Sequence, residues 1–171
     1  MNDFKEIKPI EIPDNLFKLI ASDWMLITAG TPEHFNTMTA SWGAMGELWL
    51  KKICWCVIRP SRYTYEFMER AENFTLSFFA EEYRHALKVC GAKSGREIDK
   101  AAQTGLTPIP GLAPGTTEFA QARLVLECRK IYFQDLDPKN FLDPSIIGNY
   151  PGETDFHRMY IGEILHCRIK G

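Results

Sequence analysis

The chain has no positively charged start followed by a short apolar core: its first twenty residues carry Asp3, Glu6, Glu11, Asp14, Pro9 and Pro13, so no secretory leader is expected. It also has no apolar run approaching the length of a membrane span, which makes a membrane partner unexpected. A formal net charge of -2 leaves no excess of cations for nucleic acid or an anionic membrane surface. Any anion site must therefore be local. No GxGxxG opens a strand–turn–helix unit, and neither GxxxxGK[ST] nor GxSxG occurs, which removes the usual support for a Rossmann dinucleotide fold, a phosphate-loop enzyme or a hydrolase. His34, His85, His157 and His166 are scattered without metal-ligand spacing, so no metal is expected. Five cysteines, Cys54, Cys56, Cys90, Cys128 and Cys167, show no zinc-type pairing; free, buried thiols in a reducing cytoplasm are the expectation.

What is present suits one ordinary domain over residues 1–171, with hydrophobic residues at 45% and charged residues at 25%. Residues 23–29 and 53–58 are short apolar runs without internal charge beyond Asp23, as in strands buried on both faces. From Ala120 to Cys128 the pattern alternates, with Ala120, Ala122, Leu124, Leu126 and Cys128 opposite Gln121, Arg123, Val125 and Glu127. A half-exposed antiparallel strand follows from that period. The C-terminal stretch places Met159, Ile161, Leu165, Cys167 and Ile169 on one side, and residues 73–79 (NFTLSFF) are rich in aromatic and β-branched residues.

Three helices are expected. One runs to about Ala71, capped by Ser61 or Thr64, with Tyr63, Phe67 and Ala71 as its apolar stripe. A second runs from Glu81 to Cys90 and stops at Gly91, and a third lies near Glu97 to Gln103. Irregular stretches at 104–117 and 135–155 have the length of segments that cover a site or a partner surface. Strands dominate without the strand–helix alternation of a parallel sheet. The expected fold is mainly β, an antiparallel barrel with short helical insertions.

Two segments carry chemistry. Residues 36–43 (NTMTASWG) form a run of small and hydroxyl side chains between apolar strands. Either it is an ordinary strand, or its hydroxyls and backbone N–H groups bond a polar ligand while the small side chains admit a flat ring. Residues 59–64 (RPSRYT) end a buried strand and open a helix, bringing two guanidinium groups, hydroxyls and free helix N–H groups together. That combination stabilises a phosphate, although solvated arginines beside simple caps would use the same residues. Together the two segments match what a mononucleotide with one terminal phosphate requires.

The succession NTMTASWG, RPSRYT, NFTLSFF, GAKSGREIDK and GLTP resembles the flavin reductase-like, FMN-binding split-barrel family, most closely its flavoredoxin-type branch, from about Trp24 to the end. The resemblance implies an antiparallel split β-barrel, a homodimer, and one flavin mononucleotide (FMN) per subunit near the dimer interface. It also implies electron transfer from NAD(P)H or a redox protein, and no catalytic acid or base is obligatory for that chemistry. Carried over by position, it places Asn36, Met38, Thr39, Ala40, Ser41 and Trp42 along the flavin and Arg59, Arg62, Tyr63 and Thr64 at the ribityl phosphate. Ser77, Phe78 and Phe79 become neighbours of the ring, and Ser94, Gly95 and Lys100 a loop and helix closing the site, with Lys100 alternatively a surface lysine. Residues 155–164 (DFHRMYIGEI) resemble the family's late DH…GEV strand, whose histidine is associated with the nicotinamide. Phe156 interrupts that pattern, so His157 is either this group or a hydrogen-bonded histidine at a strand start. Trp42 and the Pro-rich loop would wall the ring from water.

Overall fold

The structure, a computed structural model, describes residues 4–171. Ten strands form in chain order: β1 (Phe4–Glu6), β2 (Met25–Thr31), β3 (His34–Ala40), β4 (Gly43–Leu48), β5 (Lys51–Ile58), β6 (Asn73–Phe78), β7 (Pro108–Pro110), β8 (Thr117–Phe119), β9 (Leu124–Asp135) and β10 (Arg158–Lys170). Eight of them make one sheet in the order β3-β2-β6-β9-β10-β5-β4, with β1 added on β10, and every pairing is antiparallel. The strands β7 and β8 form a separate ribbon. Four short helices are α1 (Leu16–Lys18), α2 (Tyr63–Arg70), α3 (Arg84–Ala92) and α4 (Lys100–Thr104). The fold is thus a mainly antiparallel β structure with short helical insertions, as the sequence pattern requires.

Two apolar clusters hold it together. The larger packs Ile27, Met38, Ile58, Phe67, Met68, Phe74, Leu76, Leu126 and Tyr160 inside the curled sheet. The smaller packs Leu26, Phe79, Leu87, Cys90, Phe119 and Val125 beneath α3. Close packing of this kind, at about 1.5–3 kcal/mol for each fully buried large side chain, is the dominant stabilising term. All five cysteines are free and buried. Burial pushes the thiols of Cys90 and Cys167 up to about 11 and that of Cys56 well above its ordinary value, so they behave as small apolar residues. Cys54 and Cys128 meet with sulfurs 3.2 Å apart beside Gly162, where a Cβ would lie 2.7 Å from Phe74 and 2.8 Å from Cys128.

Several expectations are corrected. The segment from Ala120 is a strand only from Leu124, and it is not half-exposed: Leu124 to Cys128 are all buried. Val125 packs into the second cluster and Glu127 is sealed under residues 111–116, so covering elements hide the polar face that simple alternation leaves outside. On β10, register shifts between Ile161/Gly162 and Ile164/His166 break the period of two, which puts Tyr160, Ile164, Cys167 and Ile169 against the core and leaves Leu165 exposed. Neither Ser61 nor Thr64 caps α2, whose N-cap is Arg62 without a side-chain bond. Helix α3 continues through Gly91 to Ala92, and α4 starts only at Lys100, after the cap Asp99. The long stretch 104–117 contains the β7–β8 ribbon's first strand and covers β9; the stretch 135–155 holds three short 3-10 turns.

Candidate functional site

Strand β3 and the turn after it, the end of β5, and the start of α2 converge on two cavities joined at Arg62. The first, about 220 Å³, is lined by Met38, Thr39, Ala40, Ser41, Trp42, Val57, Arg59, Arg62 and His157. The second, about 150 Å³, is lined by Ser61 to Thr64, Gly91 to Gly95 and Lys100. The first has an aromatic and small-residue wall suited to a flat ring. The second is a nest of donors.

The register explains the first cavity. On β3, Met38 and Ala40 point to the larger core, while Thr37 and Thr39 point away. Both threonine hydroxyls are committed inside the protein: Thr37 pairs with Thr28 at 2.8 Å and Thr39 donates to the Leu87 carbonyl at 2.5 Å. Both orient the strand, and Thr39 also lines the first cavity. Ser41 and Trp42 lie just beyond the strand, and Ser41 has no hydrogen-bond partner among the described residues. Gly43 must be glycine, because a Cβ would stand 2.5 Å from the Trp55 carbonyl.

In the second cavity, α2 begins without a side-chain cap, so the N–H groups of its first turn have no protein acceptor of that kind. The guanidinium of Arg62 donates one bond, at 2.9 Å, to the Gly91 carbonyl, and its other N–H groups have no protein partner among the described residues. Burial, with Arg59 nearby, lowers the pKa of Arg62 from its ordinary value, yet a guanidinium stays charged. Beneath this, Asn36 donates to Thr64 at 2.8 Å, both being buried. Gly95 closes over Asn36 so tightly that a Cβ there would lie 1.9 Å from its Oδ1. Lys100 is no surface lysine: it is 5% exposed and donates to the carbonyls of Thr37 at 2.7 Å and Cys90 at 2.9 Å. Its pKa falls to about 8, chiefly through burial, against a smaller opposing effect of Cys90.

Some expected site residues take other places. Arg59 lines the ring cavity, where it donates to the Asn149 carbonyl at 2.7 Å and stands 5.2 Å above the Tyr150 ring; it does not line the donor nest. Ser77 is enclosed in β6 and Phe79 packs against Phe119 and Tyr83, and neither lines either of these two cavities. Phe78 is likewise core. The Pro-rich stretch 104–117 stays away from both cavities, because Glu127 pins it over β9. The other long stretch supplies the wall. Asp155 accepts from the Ser61 amide at 2.9 Å and from its hydroxyl at 2.5 Å, and the aromatics Phe141, Tyr150 and Phe156 stack together against His157.

His157 is 8% exposed, its ring lies 5.2 Å from Trp42, and its Nδ1 is 2.8 Å from the Tyr150 hydroxyl. Burial, reinforced by Arg59 and opposed by Asp155, pulls its pKa down to about 4. It is neutral at pH 7. Sequence reasoning missed Tyr150, Asp155, Val57 and Gly91; the one available signal was the spacing of Phe141, Tyr150 and Phe156 within an otherwise polar stretch.

A larger hollow of about 660 Å³ opens between Gly30, His34, Phe67, Arg70, Asn73 and Arg129. Its two arginines already face Glu66 and Glu163, so it has less unspent charge than the Arg62 nest. Among the described residues no group of three or more His, Cys, Asp or Glu could hold a metal, and no helix is long and apolar enough to cross a membrane.

The fold matches solved structures closely in shape and distantly in sequence. An FMN-binding domain of a flavin reductases-like enzyme from Shewanella baltica superposes with a TM-score of 0.71 at 15% identity, covering 99% of this chain and 78% of that one. The flavoredoxin of Desulfovibrio vulgaris gives 0.67 at 20% identity, over 95% and 76% of the two chains. A Streptomyces globisporus NADH:FAD oxidoreductase, solved with NAD and FAD fragments, gives 0.63 at 15% identity, over 85% and 73%. No curated protein matches the chain in sequence. The model of the flavin reductase like domain matches residues 17–171, nearly the whole chain, and this protein belongs to that family.

Proposed function

We propose that this chain is an FMN-dependent oxidoreductase of the flavin reductase or flavoredoxin kind, passing electrons from NAD(P)H or a redox protein to an acceptor. The observation that carries the reading is the pair of cavities meeting at Arg62, one walled by Trp42 and His157 and the other gathering uncapped helix N–H groups and cations. The donor set fits a phosphate monoester: Arg62, the first turn of α2 and Ser94 would hold it, with buried Lys100 adding positive potential. Residues 38–42 and Val57 fit a planar ring, and the space over Asn36 that Gly95 fills admits no larger side chain.

Bound FMN supplies hydride and single-electron chemistry. The chain's own residues bind it, orient it and limit water. Neutral His157 and the Arg59 guanidinium offer hydrogen bonds in the ring cavity without a mobile proton, so no side chain need act as acid or base.

The same reading includes a homodimer with a second copy of this chain. Ile53, Trp55 and Val57 on β5, with Met159 and Ile161 on β10 and Tyr132 on β9, share the sheet face turned away from the larger core, and neither apolar cluster includes them. Lys51, Glu163 and Arg129 form an ion-pair rim on that face, and Val57 continues it into the ring cavity. A cytoplasmic location and a single domain over 1–171 complete the proposal.

Purified protein titrated with FMN should quench flavin fluorescence at one site per chain, and Arg62→Ala should weaken binding by about tenfold or more while the fold is kept. Unchanged affinity in that variant would remove the phosphate assignment. A second reading, an electron carrier without its own nicotinamide site, is favoured by the way residues 149–155 fold over Arg59 and Ser61 beside the ring cavity. Stopped-flow mixing separates the two: rapid bleaching of bound flavin by NADH or NADPH supports the reductase, and bleaching only by a reduced protein supports the carrier.

A further inference from the structure

The contact between Tyr150 and His157 permits two arrangements of protons, and the surroundings select one. If Nδ1 carried the imidazole proton, it would donate to the phenol oxygen, and the phenol's own hydrogen would need another acceptor. Among the described residues the only group that could accept from Tyr150 Oη is His157 Nδ1, the other contact of the phenol oxygen being the His157 amide, itself a donor, and Tyr150 is 4% exposed. A buried hydroxyl hydrogen with no acceptor is strongly disfavoured. In the opposite arrangement Tyr150 donates to Nδ1 and the proton sits on Nε2. Nε2 makes no hydrogen bond within the described residues and is not among the buried atoms sealed from solvent, so it borders the cavity that His157 lines.

We infer that Tyr150 is a positioning residue that fixes His157 as the Nε2–H tautomer, aiming one uncharged hydrogen-bond donor at an acceptor oxygen or nitrogen of the heterocycle bound in the ring cavity. The tautomer stands on the geometry alone; the identity of the heterocycle rests on the FMN reading. The phenol is held in place by Phe141, stacked at 5.9 Å, by Phe156 at 4.8 Å, and by the Arg59 guanidinium above it. The charged groups facing the imidazole are Arg59 and Asp155, and burial with Arg59 outweighs Asp155, which keeps the ring neutral at pH 7. His157 therefore acts as a fixed donor. It is not a proton-releasing imidazolium.

Long-range nitrogen–proton NMR on the FMN-free protein reads the tautomer directly, and His157 should show the Nε2–H pattern and stay unprotonated down to about pH 4. Tyr150→Phe should lose that preference, and FMN affinity should fall about three- to tenfold, the worth of one net hydrogen bond. His157→Leu should lose a similar factor, and the double variant should lose no more than His157→Leu, because Tyr150 acts through the histidine. An Nδ1–H tautomer in the unsubstituted protein, or additive losses in the double variant, overturns the inference. Should the protein fail to bind FMN at all, the functional proposal falls while the NMR result still decides the tautomer; should Tyr150→Phe not fold, the spectrum of the unsubstituted protein decides alone.

Discussion

Two polar clusters are buried in this fold, one around Glu127 and one around Asn36 and Lys100, and they differ in how completely their groups are matched. Glu127 is fully buried and accepts from the amides of Leu112 at 3.1 Å and Ala113 at 2.7 Å, from Thr116 Oγ1 at 2.9 Å, and from Arg168 at 2.9 Å. Arg168 also pairs with buried Glu118. The carboxylate of Glu127 uses both oxygens, and its cluster works as a staple joining residues 111–116, β8, β9 and β10. The second cluster is matched below and open above. Lys100 and Asn36 donate to Thr37, Cys90 and Thr64, whereas the guanidinium of Arg62 makes a single bond and α2 starts without a side-chain cap. Buried polar groups are normally satisfied, and the proposed ligand site rests on these converging donors left open beside a cavity.

The contrast can be broken from either side. The largest effect expected is from Glu127→Gln, which leaves Arg168 paired with Glu118 but turns one acceptor oxygen into an amide donor facing the donors of residues 112–116 and Arg168: about 3–5 kcal/mol of stability should be lost in denaturant unfolding as these buried hydrogen bonds are broken, with FMN affinity unchanged in the protein that remains folded. Next is Gly95→Ala, whose Cβ would collide with Asn36 Oδ1. Overpacking there should cost about 1–3 kcal/mol, and FMN affinity should fall by at least tenfold, read by fluorescence titration. Parallel losses of stability and binding in Glu127→Gln would erase the distinction between staple and site.

His157 sharpens the comparison through pH. Its folded pKa, about 4, lies below the ordinary value near 6.5, so between those values the unfolded chain binds more protons than the folded one. Stability should therefore be complete above pH 6.5 and decline as pH falls toward 4, by about 1–2 kcal/mol once solvent screening is allowed for. His157→Gln should flatten that part of the profile. The smallest effect is expected at the edge of the open site. Asp155→Asn weakens the tie to Ser61, an exposed contact worth at most about 1 kcal/mol, and should show mainly as faster limited proteolysis within residues 138–155.

Much of this could be read along the chain. Strands β2, β5 and β6 appear as apolar or aromatic runs, and the stripe of Tyr63, Phe67 and Ala71 marks the buried side of α2. The residues 36–42 and 59–64 that meet at the two cavities are close in sequence, because β3 leads through β4 and β5 straight into α2. Local period and the chemistry of a strand–helix junction suffice there. Elsewhere they do not. Arg59 and Arg62 look equivalent in RPSRYT, yet Arg59 turns to Asn149, ninety positions away, and Arg62 to Gly91. Glu127 reads as a surface charge in an alternating pattern, and Lys100 as either a site residue or a surface lysine, yet both are buried.

The family's fold, the strand-rich order and the strand–helix junction at residues 59–64 were therefore written in short stretches of residues, where side-chain period and N–H geometry act over one or two turns. Which charges go inside was settled by contacts between distant segments. A buried ion is tolerated only when partners from elsewhere in the chain surround it, as Arg168 and residues 112–116 surround Glu127, and that pairing exists only once the sheet has closed.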